Sequence, residues 1–134
     1  MFWCRKSPQP LPQITVGEIC ITFHPKQNCW QFFYMGVEFN AFQRSFVLPA
    51  CAELDCMLRT VDELLPELRE RLRTGSMGQG ITAVEGQLQL SVDLSGWAET
   101  HTFSVTPSGG PDWGDLGATF SIRHGAIVDE IWMD

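Results

Sequence analysis

The side chains best suited to chemistry in this sequence are five cysteines and three histidines, and their spacing limits what they could do. They are Cys4, Cys20, His24, Cys29, Cys51, Cys56, His101 and His124. Zinc sites usually show tighter C-x-x-C or H-x-x-x-H pairs, whereas His24 and Cys29, like Cys51 and Cys56, are five positions apart. An odd number of cysteines without a C-x-x-C pair does not suggest a disulfide framework. We therefore expect reduced, structural thiols and predict neither a metal site nor a cofactor.

Catalytic arrangements are also missing from the sequence. It contains no phosphate-binding glycine loop, dinucleotide-binding glycine pattern, zinc-protease helix motif or nucleophile elbow. Cysteine–histidine catalysis needs a thiol beside a base, but we place the histidines in turns or at a strand start, as surface residues. Asp129 and Glu130 would point to opposite faces of a strand, and Asp62 and Glu63 suit the first turn of a helix. The sequence therefore predicts no enzyme; a small enzyme or ligand-binding domain without a recognisable motif is an alternative.

Tryptophans in polar turns are the remaining unusual feature. Trp97 follows a Ser-Gly pair, and Trp113 lies between Asp112 and Asp115 in a loop rich in glycine and proline. Tryptophan is common among binding hot spots because it combines a large apolar area with one hydrogen-bond donor. The alternative is that these side chains fold back over the core as lids.

We predict a partner-binding face built from residues 93–101 and 107–115, with 129–134 as a possible rim. Its candidate residues are Asp93, Trp97, Glu99, Asp112, Trp113, Asp115, Asp129 and Glu130. Trp113 would be the anchor, and the acids would act mainly on the association rate. The alternative interface is the exposed side of the main helix, where Glu63, Glu67 and Glu70 form an acidic run.

The chain has 16 acidic and 9 basic residues, and its formal net charge is −7. A negative surface repels phosphate backbones and attracts basic surfaces. We therefore expect a protein partner with a basic surface and no direct nucleic-acid contact, although the charge could serve solubility alone. No apolar run approaches the roughly 20 residues of a membrane span, and the first residues lack the apolar core of a signal peptide. We expect a cytoplasmic protein without membrane contact, either a monomer or a homodimer.

Alternating apolar residues predict the strands that would carry these side chains. Residues 14–23 alternate with a change of phase at Gly17, which we interpret as a bulge or bend. Residues 29–35 are apolar on both faces and predict a central strand covered on both sides, which Gly36 could break. Four further strands are predicted around 88–94, 101–106, 118–122 and 127–133.

One main helix separates the two groups of strands. Leucine and valine recur at steps of three and four and form an apolar stripe that we expect to be buried. The stripe consists of Leu58, Val61, Leu65, Leu68 and Leu72. Thr60 and Glu63 form a capping-box pattern, so we predict a short helical turn at 52–58 and a longer helix at 61–73. We expect a kink at Pro66, because proline cannot donate a backbone hydrogen bond.

The resulting order is ββ-α-ββββ, an α+β fold in which about six antiparallel strands pack on one main helix. A chain of 134 residues fits one domain of ordinary size. We expect residues 1–12, which contain three prolines, to form an irregular arm and residues 13–134 to form that single domain.

This organisation resembles that of small bacterial immunity proteins, which neutralise toxins delivered to competing cells. The resemblance covers about residues 45–123 and includes the leucine-striped helix TVDELLPELRERLRTG, a glycine-rich link, then E-G-x-L-x-L and further strands. It implies an inhibitor that binds a bacterial toxin, and no site residue is carried over from it. Phage-encoded inhibitors of bacterial defence, which are also short and acidic and would act by acidic-surface mimicry, are the alternative.

Overall fold

A computed structural model describes residues 12–75, 88–108 and 117–133, and these ranges contain eight strands and two helices. The strands are β1 (Gln13–Val16), β2 (Ile19–His24), β3 (Cys29–Tyr34), β4 (Val37–Ala41), β5 (Gln89–Asp93), β6 (Phe103–Ser108), β7 (Gly117–Arg123) and β8 (Ala126–Met133). The helices are α1 (Cys51–Thr74) and α2 (Trp97–Thr100). The predicted N-terminal arm lies almost wholly outside the described residues.

All eight strands form one sheet, in which their order follows the sequence from β1 to β8. Neighbouring strands are antiparallel except for β4 and β5, which run parallel. A parallel pair needs a long crossover connection, and α1 lies in the segment that connects β4 to β5. The predicted fold of about six antiparallel strands on one helix is therefore wrong, because the sheet has eight strands and is mixed. The α+β class itself stands.

The two additional strands come from tight turns that we had placed inside single strands. At Gly17, where φ is 61°, the chain reverses from β1 into β2 instead of forming a bulge. At Met35 and Gly36, where φ is 51° and 76°, it reverses from β3 into β4. Positive φ at both central residues defines a common two-residue hairpin turn. Methionine seldom occupies such a position, so the sequence pattern concealed this hairpin.

The main helix, α1, is continuous over 24 residues, so the predicted separation into 52–58 and 61–73 is wrong. The glutamate that caps the start of α1 is Glu53 and not the predicted Glu63, because Glu53 Oε1 accepts a hydrogen bond from Ala50 N at 3.2 Å. Pro66 lies inside the helix and is exposed, as is Asp62. The Asp62 carbonyl that Pro66 cannot bond is therefore able to bond water, which lowers the cost of an interior proline.

The apolar side of α1 packs on one face of the sheet and completes the core. Its buried residues are Leu54, Met57, Val61, Leu68 and Leu72. The predicted stripe is thus confirmed for three positions, whereas Leu58 and Leu65 are only partly buried. Because α1 is continuous from Cys51, Leu54 and Met57 also belong to its apolar side and pack on the sheet.

Polar contacts connect the helix to both halves of the sheet. Tyr34 Oη on β3 donates a hydrogen bond to Asp55 Oδ1 at 2.6 Å, and Arg71 Nη1 lies 2.9 Å from Glu130 Oε1 on β8. The hydrogen bond to Asp55 raises the pKa of Tyr34 to about 12, because deprotonation would break that bond and place two negative charges together.

Four cysteines lie in the described ranges, and all four have free thiols: Cys20, Cys29, Cys51 and Cys56. Burial raises the pKa of the Cys29 thiol, which disfavours the reactive thiolate. Within the same ranges, neither helix has the length and apolar character required to cross a bilayer.

Candidate partner-binding face

The open face of the sheet is the face opposite α1. Because side chains alternate along a strand, every second residue points to this face. The strand register joins one such residue from each strand into a single row, and all eight are polar. The row consists of Gln13, Thr22, Gln31, Asn40, Asp93, Ser104, Ser121 and Asp129. The core side chains of α1 and α2 pack on the other face.

Glu38, which neighbours this row on β4, is held in place by neutral hydrogen-bond donors. Gln31 Nε2 donates to Glu38 Oε1 at 2.8 Å, and Asn40 Nδ2 and Ser91 Oγ each lie 3.1 Å from Glu38 Oε2. His24 Nε2 extends the network and lies 3.0 Å from Gln31 Oε1. In the described ranges, Glu38 forms no ion pair. Its carboxylate is therefore fixed in position while its negative charge stays available to a cation.

Two large apolar side chains stand exposed beside Glu38. Phe33, which pairs with Glu38 across β3 and β4, is 63% exposed, and Met35 in the following turn is 77% exposed. A cavity of about 760 Å³ opens next to them, and Ser91 and Thr106 also line it. An interface typically has an apolar centre surrounded by polar groups that set specificity, and this end of the open face has both components.

The backbone at Met35 supports the same interpretation. Its φ of 51° is a conformation that costs a non-glycine residue about 1–3 kcal/mol. The side chain recovers little of this by burial, since it is mostly exposed. Strained backbone conformations cluster at functional sites, and the exposed side chain of Met35 adds apolar surface that a partner can cover.

The sequence-predicted site residues are distributed over both faces of the sheet. Asp93 and Asp129 lie in the polar row of the open face, separated by Ser104 and Ser121. Three strand spacings place their Cα atoms about 14 Å apart. Trp97 and Glu130 lie on the helix side, and Glu99 is exposed on α2. The remaining three, Asp112, Trp113 and Asp115, lie outside the described residues.

Trp97 is packed rather than presented as a free anchor. It is partly buried against the core, and its ring stacks on His101 with the centroids 4.8 Å apart. Its Nε1 donates to Glu53 Oε2 at 3.3 Å. This arrangement matches the lid alternative. Glu130 is also engaged, because it pairs with Arg71 and accepts a 2.8 Å hydrogen bond from Trp132 Nε1.

Several residues of the open face escaped the sequence analysis. We predicted that residues 29–35 would form a strand covered on both sides, and this is wrong, since Phe33 faces solvent. The sequence did contain a polar signal, because Gln31, Glu38 and Asn40 interrupt otherwise apolar segments. Once β3 and β4 are recognised as a hairpin, these three residues fall on one face.

Among the described residues, no group of three or more histidine, cysteine, aspartate or glutamate side chains is arranged to hold a metal ion. The sequence matches no protein-family model, and neither a curated protein nor a solved structure is significantly similar to the chain. The resemblance to immunity proteins therefore stays a prediction that rests on the order of elements.

Proposed function

We propose that this protein is an inhibitor that binds a basic protein partner through the open face, and that it is an immunity protein for a bacterial toxin. The observation that supports this proposal most strongly is the environment of Glu38. Three neutral donors hydrogen-bond its carboxylate beside the exposed side chains of Phe33 and Met35. A partner with a cationic side chain next to an apolar one would complement this site. The proposal implies a cytoplasmic protein, in keeping with the four free thiols of the described residues.

The pairing of charges favours the open face over the helix as the interface. On α1, Glu67 lies 2.9 Å from Arg71 and Glu70 lies 2.6 Å from Arg73, so two acids of the helical run already have cations beside them. On the open face, Asp93 accepts its hydrogen bonds from Ser95, and Asp129 accepts one from the backbone N of Glu130. These carboxylates are free to attract a basic surface.

The test begins with neutralisation. Immunity genes usually lie beside the genes of their toxins, so the products of neighbouring genes are expressed alone and together with this protein. We expect one product to stop cell growth and co-expression to restore it. If no neighbouring product is toxic and neutralised, the immunity assignment is wrong.

A matched pair of variants then locates the interface on the purified partner. Asp93→Asn with Asp129→Asn removes two charges from the open face, and each Asn keeps an oxygen that can accept the existing hydrogen bonds. Asp62→Asn with Glu63→Gln removes two exposed charges from α1, so the net charge changes equally. We expect the first variant to associate about five- to tenfold more slowly at low salt, a difference that disappears at high salt. Equal effects of both variants would exclude the open face.

A further inference from the structure

A second concave site lies on the helix side of the sheet, between α1, α2 and the turn that joins β7 to β8. The cleft has a volume of about 320 Å³, which is near the lower end of small-molecule pockets, roughly 300–1,000 Å³. The polar and aromatic residues that decide its chemistry are Glu53, Cys56, Thr60, Trp97, His101 and His124. It is separate from the open face and does not depend on the proposed function.

One wall of the cleft is a fixed aromatic surface. The rings of Trp97 and His101 stack with a 24° interplanar angle, and Phe103 packs against Trp97 with the centroids 6.2 Å apart. The indole cannot rotate freely, because its Nε1 donates to Glu53 Oε2 at 3.3 Å. A rigid aromatic wall favours a planar ligand, and its electron-rich faces favour a cation.

The charge of the cleft also selects a cation. Among the described residues that line it, Glu53 is the single carboxylate, and none is a lysine or arginine. Both Glu53 oxygens accept hydrogen bonds from neutral donors, Ala50 N and Trp97 Nε1, and Glu53 has no ion pair in the described part of the chain. The negative charge is therefore fixed at the cleft and is not offset by a neighbouring cation.

Three further polar side chains of the cleft are available to form hydrogen bonds with a ligand. The side chains of Cys56, His101 and His124 form no hydrogen bond with other described residues. His101 and His124 also have positive φ, 53° and 52°, a region that few non-glycine residues adopt. His101 adopts this conformation as the residue that ends α2, and His124 adopts it in the two-residue turn between β7 and β8, so both rings are held at the cleft by the backbone.

We propose that this cleft binds a small planar organic cation, an amidine or guanidine attached to an aromatic body. The aromatic body would lie against Trp97, and the planar cationic group would form charge-assisted hydrogen bonds with Glu53. Thr60 and the two histidines would supply the remaining polar contacts.

Three probes of nearly the same shape test the charge preference: benzamidine, benzamide and benzoate, which are cationic, neutral and anionic at pH 7. Each is titrated at millimolar concentration while the indole Nε1–H signals of the tryptophans are followed by NMR. The Trp97 signal is assigned with Trp97→Phe. We expect benzamidine to shift the Trp97 signal and to bind about tenfold more tightly than benzamide, and benzoate to cause no shift; tenfold corresponds to one charge-assisted hydrogen bond.

Variants distinguish this site from binding elsewhere. Glu53→Gln should bring benzamidine and benzamide to within about threefold of each other by removing the charge. Cys56→Phe should fill the cleft and abolish the shift without altering Glu53, and Cys20→Phe, at an exposed cysteine outside the cleft, should leave it unchanged. The proposal is overturned if the three probes bind equally, if none shifts the Trp97 signal, or if benzamidine still binds to the Cys56→Phe variant.

Discussion

The two faces of the sheet use their side chains in opposite ways. On the helix side, Phe39, Val105 and Phe120 are fully buried against α1 and its neighbours. On the open face, one polar residue per strand forms a continuous row, and most of these side chains are half-buried. The helix side therefore contributes most of the hydrophobic stabilisation. The open face keeps the side chains that are ordered but not needed to form the core.

The carboxylates described on the two faces also differ in the groups that contact them. On the helix side, Glu130 pairs with Arg71, and Asp55 accepts the hydrogen bond of Tyr34. On the open face, Glu38 is surrounded by Gln31, Asn40 and Ser91, which carry no charge. Contacts on the helix side connect the sheet to α1 and serve the fold. The proposed recognition of a basic partner would use carboxylates such as Glu38, which are positioned but not neutralised.

The largest expected effect comes from truncating one aliphatic side chain on each face. Leu68, on α1, is fully buried against the sheet, whereas Ile131 on the open face is 57% exposed. We expect Leu68→Ala to lower the free energy of unfolding by about 2–5 kcal/mol, through lost burial and a residual cavity. Ile131→Ala should change it by less than about 0.5 kcal/mol.

Chemical denaturation of both variants with the same probe measures this contrast. The midpoint should shift for Leu68→Ala while the slope stays constant, which shows that stability rather than compactness has changed. Similar losses in the two variants would mean that the open face is covered and that the division between the faces is incorrect.

Particular residues explain how much of this architecture the sequence could predict. The strands after the helix were predicted, because Leu90, Val92 and Leu94 alternate with polar residues over a solvated face. The strands before the helix were merged, because Ile14 and Val16 in β1, like Phe33 and Met35, are apolar and exposed. A hydrophobic pattern assigns such residues to the core, so these exposed apolar side chains made two hairpins look like two longer strands.

The candidate site was predicted less well, for a related reason. Asp93 and Asp129 were selected from the sequence as acids in turns or rims, and they do lie on the open face. Glu38 was not selected, because it is a single acid within an apolar segment. Its environment depends on Ser91, which the parallel pairing of β4 with β5 brings next to it. That contact spans 53 positions and has no local sequence signal.

The next effect in size concerns partner binding at the apolar end of the open face. Phe33 and Val47 are both exposed, at 63% and 85%, but Val47 lies in the loop before α1. We expect Phe33→Ala to weaken partner binding by about 2 kcal/mol or more, the usual effect of truncating an aromatic anchor. Val47→Ala should leave the affinity unchanged.

Calorimetric titration of the purified partner gives both affinities, and thermal unfolding checks that each variant is folded. The loss should appear mainly as faster dissociation, in contrast to the slower association expected when Asp93 and Asp129 lose their charges. If Phe33→Ala binds as tightly as the wild type, the apolar end of the open face is not part of the interface.

The smallest effect concerns a contact on the helix side, the hydrogen bond from Tyr34 to Asp55. The chain contains one tyrosine, so the ultraviolet absorbance of tyrosinate reports on Tyr34 alone. The pKa of Tyr34 is raised to about 12, whereas an unperturbed tyrosine titrates near pH 10. Asp55→Asn keeps an oxygen that can accept the hydrogen bond but removes the charge, so the titration midpoint should move down towards 10.

The raised pKa also fixes the direction of the pH dependence. The folded protein holds the Tyr34 proton more tightly than the unfolded chain does. The contribution to stability is therefore fully present below pH 10 and is lost as the pH rises from about 10 through 12. Denaturation at pH 9 and pH 11 should show a smaller loss of stability for Tyr34→Phe than for the wild type, because phenylalanine has no proton to lose. Equal losses, together with a wild-type midpoint near 10, would show that α1 is not joined to β3 through this hydrogen bond.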